Sequence, residues 1–227
     1  MSAKRAKLLR RWHEESDAEL HSRVPADVSF MGLQLHIPSD VFPLPESDEG
    51  DPYHQAVAAE VGPHMRVLDM GSGSGVSALL AARAGAEVIA VDVNPAAVDC
   101  GRENATRNGL ADRIKFARGD LFEGVDGDFD LITFDPPFRW FEPRDLLERS
   151  HADAGYQSLR GFMEQAPGRL RTGGRILMNF GTSGDFQYLQ QLINGSGLAA
   201  ALTRYGEATR FGFTAEYYVI RLSDSTA

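Results

Sequence analysis

The five residues Phe134-Asp135-Pro136-Pro137-Phe138 set two hydrogen-bond acceptors and an aromatic ring side by side. Each proline fixes its own φ and removes an N–H donor, so the Pro136 carbonyl projects rigidly with no competing local bond. The carboxyl of Asp135 supplies a second acceptor aimed at the same spot. Phe138 offers a flat face for a planar group. Such a set holds a planar NH2 group, amide or aromatic amine, by its two hydrogens and leaves the nitrogen lone pair facing an electrophile. Asp135, Pro136 and Phe138 are therefore the candidate catalytic residues. Trp140 and Phe141 extend the aromatic wall, and the loop 139–154 is expected to cover the substrate. His151 and Tyr156 read as surface loop residues, with contact to substrate as the alternative.

A second group of residues reads as a binding site for the electrophile's carrier. Arg66-Val-Leu-Asp69-Met-Gly71-Ser72-Gly73-Ser-Gly75 is a short apolar run, an acid and three glycines. Val76, Leu79 and Leu80 follow at helical spacing, so the stretch reads as strand, tight turn and helix. The run Val88-Ile-Ala-Val91 then ends in Asp92-Val93. An acid at that second strand end is where nucleotide-binding sheets hold ribose hydroxyls. The glycine spacing departs from the dinucleotide fingerprint. Asp69 would also oppose a pyrophosphate, so a cationic ligand suits it better. A further strand end, Gly119-Asp120-Leu121, follows Ile114–Arg118. There Asp120 reads as an acceptor for an adenine amino group, with a helix N-cap as the alternative. The candidate cofactor-binding residues are Asp69, Gly71, Ser72, Gly73, Gly75, Asp92, Val93, Asp120 and Leu121.

The elements that must position these groups alternate along the chain. A helix over residues 2–22, carrying Leu8, Leu9 and Trp12 on one face, ends at Pro25. A hairpin follows around Gly32, with Val28, Phe30, Leu33, Leu35 and Ile37 at period two. Prolines 38, 43 and 45 and the acids Glu46, Asp48, Glu49 and Asp51 precede a short helix over 53–61. Strands are expected near 66–70, 87–91, 113–117, 129–134, 174–180, 198–205 and 214–222, with helices between them, one capped by Asn94 and Pro95. This is an α/β, Rossmann-like, seven-stranded, mostly parallel sheet with helices on both faces. No helical stretch separates the last two strands, because Tyr205 to Phe213 is polar and glycine-bearing, so the final strand runs antiparallel.

Composition narrows the function. The chain has 227 residues, 43% hydrophobic and 24% charged, in the range of an ordinary globular protein. No apolar run is long enough to span a bilayer and no apolar core follows the N-terminal charges, so a cytoplasmic address without membrane contact is expected. The single Cys100, beside Ala97 and Gly101, reads as a small core residue and excludes Cys-rich metal sites. A net charge of −9 disfavours nucleic acid as substrate. The cluster Lys4, Arg5, Lys7, Arg10 and Arg11 is followed by Glu14, Glu15, Asp17 and Glu19, and reads as a solvated helix face.

The glycine turn resembles motif I of class I S-adenosylmethionine-dependent methyltransferases, whose cofactor carries a sulfonium and an amino group. Asp135-Pro-Pro-Phe138 resembles the (Asn/Asp)-Pro-Pro-(Phe/Tyr/Trp) signature of the amino-methylating members. Among these, the HemK-type protein-glutamine N5 methyltransferases carry a similar hairpin and proline segment. Its counterparts here are Phe30-Met-Gly-Leu-Gln-Leu-His-Ile37, Val41-Phe42 and Pro43-Leu-Pro-Glu-Ser47. The likeness runs from about Val28 to Leu222. It implies S-adenosyl-L-methionine as cofactor, no metal, and methyl transfer to a planar amide or amine nitrogen. Residues 1–52 then form a helix, hairpin and proline segment, and residues 53–227 the methyltransferase domain.

Three departures bear on the substrate. Asp135 stands where glutamine-specific members have Asn, Phe138 where they have Tyr, and Leu44 where they have Arg. The helical domain with which the family grips release factors is expected to be missing or reduced to one helix. The substrate is then a small molecule or a protein glutamine. An RNA guanine or adenine N-methyltransferase, a non-catalytic cofactor-binding module and a dinucleotide oxidoreductase are the competing readings.

Overall fold

The computed structural model describes residues 3–45 and 51–224, leaving aside the side chains of residues 3 and 4. Ser47 and the acids Glu46, Asp48 and Glu49 lie outside the described residues. Helix α1 (Ala3–His21) buries Leu9, Trp12, His13, Asp17 and Leu20, an i, i+3, i+4 stripe, while Leu8 is exposed rather than part of that face. Lys7, Arg10 and Arg11 lie on its solvent side. Strands β1 (Ala26–Phe30) and β2 (Leu33–Ile37) form an antiparallel hairpin. Its turn, Met31-Gly32, has φ of 49° and 76°, the doubly positive geometry that a two-residue hairpin connection needs. Helix α2 (Pro52–Glu60) starts on the Asp51 side chain, which accepts from the Tyr53 and His54 N–H groups.

The remaining elements build one sheet. They are β3 (Arg66–Met70), α3 (Val76–Arg83), β4 (Glu87–Asp92), α4 (Pro95–Arg107), β5 (Ile114–Arg118), β6 (Phe129–Phe134), α5 (Gln157–Gln165), β7 (Leu170–Gly181), α6 (Phe186–Ser196), β8 (Leu198–Arg210) and β9 (Phe213–Asp224). The strand order is β5-β4-β3-β6-β7-β9-β8, and β9 alone runs antiparallel to both of its neighbours. Alternate residues of the central strands feed two cores. Val67, Leu131 and Leu177 face the hairpin, α2, α3 and α4. Leu68, Ile132 and Ile176 face α5 and α6. Both faces are covered, so β3 and β6 are mostly apolar between their ends, and the buried polar pair Asp69 and Thr133 is satisfied by a 2.9 Å hydrogen bond.

Two strands run further than the sequence pattern implies. The segment Tyr205 to Phe213, expected as a connector, is paired almost throughout: β8 and β9 keep their ladder to Arg210↔Phe213, aided by a Thr209–Thr214 hydroxyl bond of 2.8 Å. Cross-strand pairing here overrides the low strand propensity of Gly206. Strand β7 begins at Leu170, before a register shift that the 174–180 reading starts beyond.

The hairpin is docked by two asparagines one turn apart, Asn104 on α4 and Asn108 at its C-cap. Asn104 accepts from His36 N–H at 2.7 Å and donates to His36 O at 3.1 Å and to Ser74 O at 3.0 Å. Asn108 accepts from Gln34 N–H at 3.0 Å and donates to Gln34 O at 2.8 Å. The free edge of β2 thus meets side-chain amides in place of a third strand. Among the described residues no helix is long and apolar enough to cross a membrane.

Helices α3 and α4 approach the sheet through glycine. A Cβ on Gly75 would stand 3.2 Å from the Gly101 Cα, and one on Gly101 would stand 2.3 Å from a Phe116 ring carbon. Gly101→Ala is expected to destabilise the fold by about 1–3 kcal/mol, the usual range for overpacking, although alanine is the better helix former. The readout is a lower urea midpoint at unchanged slope. A midpoint equal to the wild type's would mean that α4 and β5 tolerate a wider gap.

Candidate active site

The carboxyl ends of β3, β4, β6 and β7 open into one cavity of about 930 Å³. Its roof comes from α1 (Trp12, Leu20), the segment Val41–Pro45 and the tip of the β8–β9 hairpin. Asp69, Gly71, Ser72, Gly73, Asp92, Val93, Asp120 and Leu121 all line it, as do Asp135, Pro136 and Phe138. Gly75 does not; it is the left-handed residue, φ 85°, that starts α3.

At one end the glycine turn is tied to its neighbouring strand. The N–H groups of Gly71 and Ser72 both donate to Val91 O, at 2.8 and 3.0 Å. Asp92 accepts from Gly73 N–H on one oxygen and from Asn94 N–H on the other, each at 2.8 Å. Burial raises its carboxyl against those bonds. Ser72 Oγ is buried with no hydrogen-bond partner among the described residues, and a Cβ on Gly73 would meet open space. Asp69 is held more firmly. It accepts from Thr133 Oγ1 at 2.9 Å and from Ala78 N–H at 3.2 Å, and burial pushes it up to about 7. Asp120 is half exposed and faces Arg149 at 2.7 Å. No helix begins there, since residues 121–124 form a turn, so the N-cap alternative is not what the residue does.

At the other end, parallel register sets the chemistry. Phe134 pairs with Met178, so the next residues, Asp135 and Asn179, stand together. The Asn179 amide donates to Asp135 Oδ1 at 3.0 Å. Asp135 opens onto water in the cavity, but the protein around that floor encloses it and pushes it up to about 6, with the Asn179 bond opposing. Tyr53 is buried between Asp69 and Asp135 and bonds Ser77 and Thr133. His54, bonded through Nδ1 to Asp51, adds its field to both acids. Phe138 packs on Phe180 and Tyr217, with centroids at 5.3 and 6.4 Å, and its carbonyl accepts from Tyr156 at 3.1 Å.

The family model described as methyltransferase small domain matches residues 34–200. The chain belongs to that family. A release factor glutamine methyltransferase of Cereibacter sphaeroides is 34% identical over 186 residues, which is 75% of this chain and 64% of that protein. One of Yersinia pestis is 33% identical over 188 residues, 77% and 66% respectively. The chain thus spans just under two thirds of the length of these curated relatives. The crystal structure of the M. jannaschii tRNA m1G37 methyltransferase superposes with a TM-score of 0.65 at 16% identity, covering 90% of this chain and 58% of that one, a likeness of fold.

In this member of the family several loop residues fall elsewhere than the sequence suggests. Trp140 and Phe141 do not line the cavity, and Phe141 instead stacks on His13 at 4.2 Å. Trp12, Phe42 and Tyr217 supply the aromatic wall. His151 and Tyr156 are buried, at 8% and 7% exposure, not surface residues. His151 Nε2 bonds Asp17 at 2.6 Å, and Asp17 also faces His13 at 3.3 Å. Burial pushes His13 down to about 4 and lowers His151, while these contacts hold Asp17 below its usual range despite burial. The cluster fastens α1 to the loop. Cys100 is buried as expected, its thiol pushed up to about 12 by burial and so unreactive. Sequence reasoning missed Tyr53, His54, Asn179 and Tyr217. The Asp51-Pro52 helix start was the only local sign of the first two, and Asn179 needed the register.

The residues present fit S-adenosylmethionine. An orphaned buried hydroxyl, an open glycine turn and three enclosed acids suit a polar, cationic ligand. A carbon-13 carboxyl titration of the free protein is expected to place Asp135 near 6. Removing the Asn179 donor by Asn179→Ala should move it further up, because the bond favours the ionised form. An unchanged Asp135 titration in that variant would refute the assignment of Asn179 as its partner.

Proposed function

We propose that the protein is an S-adenosylmethionine-dependent N-methyltransferase acting on the planar NH2 of an amide or amine. The observation that carries the reading is Asp135 and Pro136 at the end of β6, on the floor of the same cavity as the glycine turn, with Asp135 braced by Asn179. The relatives named for release factor glutamine support an amide as the acceptor. A net charge of −9 supports a protein or small-molecule substrate over RNA. A cytoplasmic address belongs to the same proposal, in keeping with the single unpaired Cys100.

When bound, the cofactor supplies a methyl group on a sulfonium, which is already a good leaving system. The chain's own part is therefore positioning and electrostatics. Asp135 and the Pro136 carbonyl accept the two N–H hydrogens and fix the plane of the NH2 group. Phe138, held by Phe180 and Tyr217, covers one face of that plane. With its carboxyl raised to about 6, Asp135 can take the proton that the methylated nitrogen gives up. The turn residues Gly71, Ser72 and Gly73, with Asp92 and Val93, hold the cofactor, and Asp120 and Leu121 close the adenine end.

The test is transfer of labelled methyl from S-adenosylmethionine into a fractionated cell extract, with Asp135→Ala run beside the wild type. Label is expected to enter the wild-type reaction as methylated amide or amine nitrogen and to fall at least a hundredfold in the variant, the scale of losing a positioned acid–base group. Cofactor bound without any transfer would leave a binding module. Transfer that survives Asp135→Ala would place the chemistry elsewhere.

A further inference from the structure

The substrate end of the cavity holds a charge that the proposed reaction does not use. Arg139 follows Phe138 directly and lines the cavity. Its backbone is clamped in the loop: Arg139 N–H donates to His151 O at 3.1 Å, and Asp153 N–H donates to Arg139 O at 2.7 Å. The residue is only 9% exposed. Its guanidinium carbon stands 4.0 Å over the Trp12 ring, and Nη1 meets His13 Nδ1 at 3.4 Å. That imidazole is neutral near pH 7, because burial pushes it down to about 4. Arg139 Nε is buried with no hydrogen-bond partner among the described residues.

The other cavity arginines are occupied. Arg149 pairs with Asp120 and Arg210 with Glu19, each at 2.7 Å, and Arg23 donates to Val41 O at 3.2 Å. Asp17, the acid whose field Arg139 feels, is committed to His151 and His13. Burial pushes Arg139 down to about 10. A buried guanidinium without a carboxylate is costly to the free protein, and an anionic ligand removes that cost. Its planar fork matches a carboxylate through two parallel bonds, and Trp12 backs the cation from the other side.

We propose that Arg139 receives a carboxylate of the substrate, and that the substrate is a small molecule carrying both this carboxylate and the NH2 group presented to Asp135. The proposal rests on the N-methyltransferase reading. The roof favours a small molecule over a polypeptide loop. Helix α1 crosses the substrate end and is tied down by Arg210–Glu19 at 2.7 Å, by His21–Asp145 at 2.9 Å and by Arg5 to Thr182 O at 2.9 Å. A glutamine within a chain also brings no carboxylate of its own.

The test is calorimetric titration of the full chain with benzoate and with benzamide, planar probes that differ chiefly in charge, in the presence of S-adenosylhomocysteine. The wild type is expected to bind benzoate at least tenfold more tightly than benzamide. That preference should vanish in Arg139→Gln, with the melting temperature unchanged or raised, and persist in weakened form in Arg139→Lys, which keeps the charge but not the fork. Equal binding of the two probes by the wild type, binding of neither, or a benzoate preference that survives Arg139→Gln would overturn the proposal. If Arg139→Gln fails to fold, the wild-type preference and its weakening in Arg139→Lys decide. In the labelling assay, methyl transfer into a protein that Arg139→Gln leaves unchanged also overturns it. The two readings fail separately. S-adenosylhomocysteine binding with no benzoate preference removes only the substrate class, whereas benzoate preference with no S-adenosylhomocysteine binding removes the methyltransferase reading and leaves the anion site.

Discussion

Parallel register forces three carboxyl groups into one cavity. Asp69, Asp92 and Asp135 end neighbouring strands on the same edge of the sheet, and burial raises all three, Asp69 to about 7 and Asp135 to about 6. Donors that the fold brings to each oppose that rise: Thr133 and the Ala78 N–H, the Gly73 and Asn94 N–H groups, and the Asn179 amide. The free protein therefore stores an unfavourable concentration of acid around an open space. A ligand carrying a sulfonium and an amino group relieves it. The Tyr53 hydroxyl, His54 and the turn geometry make sense as parts of that same arrangement.

What was legible in the sequence was what local chemistry determines. The Asp69–Gly75 turn, the acid ending β4 and the Asp135-Pro-Pro-Phe138 step are each short, and their residue types are constrained by backbone geometry or by the group they must hold. The mostly parallel sheet with helices on both faces followed from alternation of strand and helix, whereas its strand order did not. Other features depend on which segments meet. Asn179 is an ordinary polar residue until the β6–β7 register sets it beside Asp135. Tyr205 to Phe213 reads as a connector until β9 pairs with it. His151, Tyr156 and Arg139 sit in a polar stretch of sequence; the packing of α1 buries His151 and Arg139, and Tyr188 of α6 stacks on Tyr156.

Helix α1 is fastened through polar groups as much as apolar ones. Trp12 meets Phe213 at 5.2 Å and Arg139 at 4.0 Å, while Asp17 lies between two neutral imidazoles. Such a buried network favours one docking geometry, because moving the helix would leave the Asp17 carboxylate without its two imidazole partners. The helix is thereby fixed as a wall of the cavity, and the shape of the substrate end depends on it.

Asn104 touches both the hairpin and the glycine turn, through His36 and Ser74. Among the described residues no third strand joins the hairpin, so its order depends on α4 holding still. A ligand that steadies the turn also steadies α4 and, through one amide, the backbone of β2. Hydrogen exchange at His36 thus becomes a reporter of cofactor occupancy from outside the cavity. The same amide fixes the phase of the strand: a slip by one residue would turn Leu33, Leu35 and Ile37 to solvent and leave both asparagines facing the wrong carbonyls.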